Sequence, residues 1–158
     1  MLQAILIVLI VLLDQISKYF ANIYLNGASK QDFIPYVLSL QYHENRGAAW
    51  GMLADHRWVF MTLSTVAILF IIGFLIYTRK DKNPLLLTLS LCFFAGGGIG
   101  NMIDRIFLGY VIDFLNFEFI EFPIFNVADS FICIGAFLII LYLVFDIISE
   151  SRSKKDVK

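Results

Sequence analysis

Two aspartates flank a short apolar segment: Asp113 in Val111-Ile112-Asp113-Phe114, and Asp129 in Asn126-Val127-Ala128-Asp129. Two carboxylates held within a few ångströms cannot both ionise easily, so such a pair keeps one proton over a wide pH range. The ionised member can take a proton from water. The protonated member can polarise a carbonyl and then protonate a leaving nitrogen. Water can then attack a peptide bond with no covalent intermediate. Asn45, Asn101, Arg105 and Asn126 supply hydrogen-bonding capacity around the pair.

Other chemistries fit less well. His43-Glu44 lacks the second histidine of a helical zinc-protease motif, and His56 is the only other histidine. There is no G-x-S-x-G, no phosphate-binding loop and no dinucleotide fingerprint. Cys92 and Cys133 each sit in an apolar run and read as small buried residues, neither a bridge nor a metal pair. The sequence therefore calls for no metal and no cofactor.

The elements that position these groups must lie in a membrane. Of 158 residues, 59% are apolar and only 16% charged, with sixteen Phe and a net charge of -1. That leaves too little polar surface for an ordinary soluble domain, and it excludes a disordered chain or a basic nucleic-acid binder. A spanning helix needs about 20 mostly apolar residues. Four stretches qualify, at about 2–24, 58–77, 85–108 and 127–148, with a polar tail over 149–158. All fall within one domain, 1–158. Nothing basic precedes the first run and Asp14-Gln15-Ile16-Ser17-Lys18 follows it, so it reads as a retained helix, not a removed leader.

Arg79, Lys80, Lys82, Arg152, Lys154, Lys155 and Lys158 fall on one side of a four-span topology, which predicts cytoplasmic termini. Trp50, Trp58, Tyr24, Tyr36, Tyr42 and Tyr110 then read as anchors at the outer interface. Residues 36–42 alternate well enough for one or two strands.

Ionisable residues at membrane depth are costly and point to function. On straight helices Asp14, Lys18 and Asp104 lie ~20, ~26 and ~29 Å from the cytoplasmic end. They converge with Asp113 and Asp129 on the outer third of the bilayer. Asp14 and Lys18 share a helix face at i, i+4 and can pair. Gly96 and Gly100 form a small-xxx-small pair that admits a close neighbour, and Gly97, Asn101, Asp104 and Arg105 fall on one face. Asn126 and Asp129 read as an N-cap with a carboxylate at N3.

Five segments together resemble the bacterial lipoprotein signal peptidase (type II signal peptidase) family. They are Asp14 through Lys18, Asn45 through Gly51, Gly97 through Arg105, Val111 through Phe114, and Phe125 through Asp129. Trp50 stands where the family commonly has Phe. The resemblance implies an all-α membrane protein with four transmembrane helices, a small extracytoplasmic β-containing cradle and a short interfacial helix before the fourth span. It implies an aspartic endopeptidase of the bacterial inner or plasma membrane that cuts prolipoproteins just before a diacylglyceryl-modified cysteine. Asp113 and Asp129 would be catalytic, and Asn45, Asn101, Arg105 and Asn126 would position substrate. Asp14, Lys18, Gly97 and Asp104 would give structural support. Partners would be diacylglyceryl prolipoproteins, membrane lipid and cyclic peptide inhibitors of the globomycin type, with no nucleic acid. A small proton-coupled transporter is the alternative, although transporter sites lie near the midplane between repeats and no repeat is visible.

The apolar 107–125 segment could shield the aspartates from bulk water. A charge introduced at Phe117 or Phe119 should then lower turnover without unfolding the protein; unchanged turnover would contradict the shielding role.

Overall fold

The computed structural model describes residues 1–47, 57–79 and 83–156; the segment from Ala48 to His56, with Trp50, lies outside the described residues. Among the described residues, four helices and three strands follow in the order α1 (Leu2–Leu25), β1 (Gln31–Ile34), β2 (Leu38–Asn45), α2 (Arg57–Tyr77), α3 (Leu85–Phe107), β3 (Val111–Phe117) and α4 (Val127–Asp156). Leu2–Leu25, Leu85–Phe107 and the Val127–Ser149 part of α4 are long and apolar enough to cross a membrane. The apolar stretch of α2, Met61–Tyr77, is shorter. It covers ~26 Å at 1.5 Å per residue, a little under the bilayer core.

The faces of these helices are inverted relative to a soluble protein. On α1 the buried stripe is Ile10, Asp14, Lys18, Ala21 and Leu25, so both charges point into the protein. Leu9, Leu12, Leu13 and Ile16 point outward, each at least half exposed. Such an apolar exterior is stable only against lipid. The same inversion corrects the reading of Cys133, which is exposed on α4, while Cys92 is buried. An apolar run implies burial in water but not in a bilayer.

Glycines set how closely the helices approach. A Cβ at Gly96 would stand 2.8 Å from Ile10 of α1, and one at Gly100 would stand 2.5 Å from the Asp14 carboxylate. A Cβ at Gly97 would meet the Ala128 carbonyl oxygen at 2.5 Å. One glycine-rich turn of α3 therefore seats α1 on one side and the start of α4 on the other. Gly109 then closes α3, with φ +86° and its N–H donating to the Asp104 carbonyl at 3.2 Å, the left-handed ending that glycine permits. The chain turns directly into β3.

The sheet is antiparallel in the order β1-β2-β3. It rests on the end of α1, where Ala21 and Leu25 pack with Ile112 and Phe114. Tyr42 joins that cluster and does not stand out as an anchor, whereas Tyr24, Tyr36 and Trp58 are well exposed. The expected short helix before the fourth span is not found among residues 109–126. Val111–Phe117 is a strand, and residues 118–126 return irregularly until Phe125 bridges to Leu115. The β-branched and aromatic residues of this segment favour a strand, and β2 offers it an open edge. The expected polar tail continues α4 to Asp156, because no Gly or Pro stops it.

Replacing Gly97 with Ala should overpack the α3–α4 contact and lower stability by about 1–3 kcal/mol. A Cβ at Gly73 meets nothing within 4 Å, so Gly73→Ala should cost nothing. Thermal unfolding of both variants in detergent checks the contrast.

Candidate active site

Lys18 lies at the centre of the buried polar cluster, with 2% of its side chain exposed. Its ammonium meets Asp14 Oδ2 at 2.9 Å, Asp104 Oδ2 at 3.0 Å and Asn101 Oδ1 at 2.9 Å. Three donors thus find three acceptors on two helices. Each carboxylate then holds a further element. Asp14 Oδ1 accepts the Ala128 N–H at 2.9 Å, satisfying an orphan donor in the first turn of α4. Asp104 Oδ2 accepts the Ile112 N–H at 3.1 Å, fixing the start of β3. Asp104 pairs with Lys18 and not with its neighbour Arg105, which turns to donate to the Asn101 carbonyl at 3.3 Å.

Gln15 was not singled out as a site residue by sequence, yet it ties the cluster together. Its amide donates to Asp14 Oδ2 at 3.2 Å, the Gly100 carbonyl at 3.2 Å and Asp104 Oδ1 at 3.0 Å. The available signal was its place between Asp14 and Lys18, within a span that should otherwise be apolar.

Two asparagines carry the arrangement outward. The Asn101 amide donates to Asp129 Oδ1 at 2.7 Å. The fully buried Asn126 amide donates to Asn101 Oδ1 at 3.1 Å and to Asp113 Oδ1 at 2.6 Å. A continuous chain therefore runs from Asp113 through Asn126 and Asn101 to Asp129. Asn45, at the end of β2, donates to Asp113 Oδ2 at 2.9 Å. Asn126 also caps α4: the Asp129 N–H donates to Asn126 Oδ1 at 2.9 Å, and the Asn126 N–H donates to Asp129 Oδ2 at 3.2 Å. That is the reciprocal capping box expected from sequence.

Every sequence-predicted site residue thus falls in one connected region. Asp113, Asp129, Asn45 and Arg105 line a cleft of about 480 Å³. Asn101, Asn126, Asp14, Lys18, Gly97 and Asp104 stand behind it. The apolar part of the cleft's lining includes Phe117, Phe122, Phe125 and Ile134. The rings of Phe117 and Phe125 pack at 4.9 Å, and Phe119 braces Phe117 at 5.4 Å. Among the described residues no cluster of ligands could hold a metal ion.

Burial pushes the Asp113 carboxyl up to about 7, and the neighbouring Asp129 charge acts in the same direction. Hydrogen bonds from Asn45 and Asn126 oppose the rise without cancelling it. At neutral pH, then, Asp113 is near half-protonation, the condition in which a carboxyl can both donate and accept a proton.

The fold and site together define a helical membrane protein with a pair of carboxylates at one apolar cleft. The profile described as signal peptidase (SPase) II matches residues 6–145. Lipoprotein signal peptidases of Streptococcus pyogenes serotype M5 (strain Manfredo) and serotype M18 (strain MGAS8232) are each 38% identical over 139 residues, covering 87% of this chain and 89% of the relative. Two solved structures of a bacterial membrane enzyme, obtained by the in meso method, superpose with TM-scores of 0.81 and 0.79. They are 32% and 33% identical to this chain, covering 91% and 89% of it, and 88% and 91% of their own lengths. The chain belongs to the signal peptidase II family. It is a membrane protease, which sets aside the transporter alternative.

The raised Asp113 value carries a stability consequence. A carboxyl that titrates higher in the folded than in the unfolded chain favours folding below its unfolded value of 3.8 and loses that contribution as pH rises through about 7. Asp113→Asn should therefore melt at progressively higher temperature than the parent as pH rises from 4 to 8. Parallel melting curves across that range would contradict the assignment.

Proposed function

We propose that the chain is an aspartic endopeptidase that removes the signal peptide from diacylglyceryl-modified prolipoproteins, with Asp113 and Asp129 as its catalytic pair. The observation that carries this reading is the asparagine chain joining the two carboxylates at one cleft. It holds both groups at a shared face while their free lone pairs open toward a substrate. One ionised carboxylate takes a proton from water as the water oxygen bonds to the peptide carbonyl carbon. The protonated partner donates to the carbonyl oxygen. The tetrahedral diol collapses as the nitrogen takes the pair's proton and the C–N bond breaks, while one diol hydroxyl gives its proton to the pair as the C=O bond re-forms, returning the pair to one shared proton. Asn45 orients Asp113. Arg105, at the rim of the same cleft, is suited to bind a backbone carbonyl of the substrate.

The site's depth supports the substrate class. A diacylglyceryl cysteine holds its acyl chains in the outer leaflet and its peptide bond near the headgroups. With four spans and cytoplasmic termini, Asp14, Lys18, Asp104, Asp113 and Asp129 sit toward that level, so the lipid need not leave the bilayer. The apolar wall of the cleft excludes water and strengthens the pairing of the two carboxylates.

A gel-shift cleavage assay in detergent tests the reading. It offers a prolipoprotein with and without its diacylglyceryl group to the parent, Asp113→Asn and Asp129→Asn. Only the lipidated form should be cut. Each variant should lose about 10²- to 10⁴-fold in rate, the usual contribution of a general acid or base. Cleavage by either variant at the parental rate would break the pair assignment.

A further inference from the structure

At the end of the bundle away from the site, α1 and α2 both pack on α3 and hardly touch each other. The gap is an apolar groove of about 240 Å³ between Ala4 and Ile7 of α1 and Ile72, Leu75 and Ile76 of α2. Ile72, Leu75, Ile76 and Arg79 are spaced i, i+3, i+4, i+7, so one apolar stripe ends in a cation. Arg79 stands at the mouth and also borders a polar cleft of about 340 Å³ with Gln3, Asn83 and Thr88. It is exposed and makes no ion pair among the described residues.

We propose that this groove binds one anionic phospholipid of the leaflet opposite the active site, its phosphate on Arg79 and one acyl chain between α1 and α2. From Arg79 to Ile72 the groove runs ~10 Å, about a third of the hydrocarbon thickness. That length suits the upper part of an acyl chain. A guanidinium matches two phosphate oxygens at once, and no carboxylate among the described residues competes for it. With no carboxylate paired to it among the described residues, Arg79 leaves a net positive charge at the groove mouth, which favours a headgroup of net negative charge. This lipid is distinct from any substrate lipid, because Asp14 alone lies ~18 Å further along α1 than Leu2. The inference does not depend on the catalytic reading.

Native mass spectrometry of the detergent-purified full chain tests it, with equal phosphatidylglycerol and phosphatidylcholine of matched acyl chains. One phosphatidylglycerol should be retained in preference to phosphatidylcholine. Arg79→Gln should reduce that preference about tenfold or more, the worth of a charge-assisted hydrogen bond. Ala4→Phe, which fills the groove, should reduce retention of both lipids, and Arg79→Lys should keep part of the preference. Soluble glycerol phosphate should not displace the lipid. Equal retention of the two lipids by the parent, an unchanged preference in Arg79→Gln, or displacement by glycerol phosphate would overturn the proposal.

Discussion

An ammonium withdrawn from water must recover its hydration from the protein, and removing a single charge costs several kcal/mol when it is left unpaired. Lys18 recovers it from Asp14, Asp104 and Asn101. Each of those acceptors has a second obligation. Asp14 caps the first turn of α4, Asp104 holds Ile112 near the start of β3, and Asn101 donates to Asp129. The elements that carry the two cleft aspartates therefore reach their positions through partners of the same cation. The rigidity needed to keep two carboxylates together is supplied from behind them, in a buried layer of the bundle.

Packing and polarity are coupled at this point. Asp14 reaches α4 because Gly100 leaves room for its carboxylate, and α4 approaches α3 because Gly97 leaves room for the Ala128 carbonyl. In lipid there is little hydrophobic drive between helices, so close contact and internal hydrogen bonds supply the association. α1 shows the consequence in one helix: Asp14 and Lys18 face the protein, and Leu9, Leu12 and Leu13 face outward. The sheet extends the same logic beyond the helices, with Asn45 of β2 and Asp113 of β3 meeting at the cleft.

Much of this was legible from residue types and spacing. A charge in a spanning segment must find a partner, which made Asp14–Lys18 and Asp104 readable as buried groups. The Asn126–Asp129 spacing announced a capping box that the structure contains. Other features depended on information that periodicity does not hold. Gln15 lies on the edge of the buried stripe, and its three acceptors come from three residues spread over 90 positions of sequence. Residues 111–117 are apolar enough for an interfacial helix, and their β-branched and aromatic residues form a strand where β2 offers an open edge. Cys133 was misread because an apolar neighbourhood in lipid does not mark the inside. Asp104 pairs with Lys18 of α1 and not with Arg105 beside it, because sharing one face of α3 does not say which neighbouring helix each side chain will meet.

The central claim is that the buried Lys18 cluster holds the site-bearing elements in place. The most direct measurement is the unfolding free energy of Lys18→Met in mixed micelles. Removing the cation leaves Asp14 and Asp104 buried without their counter-charge, so a loss of about 3–5 kcal/mol is predicted. A loss below about 1 kcal/mol, the worth of an exposed ion pair, would contradict the account.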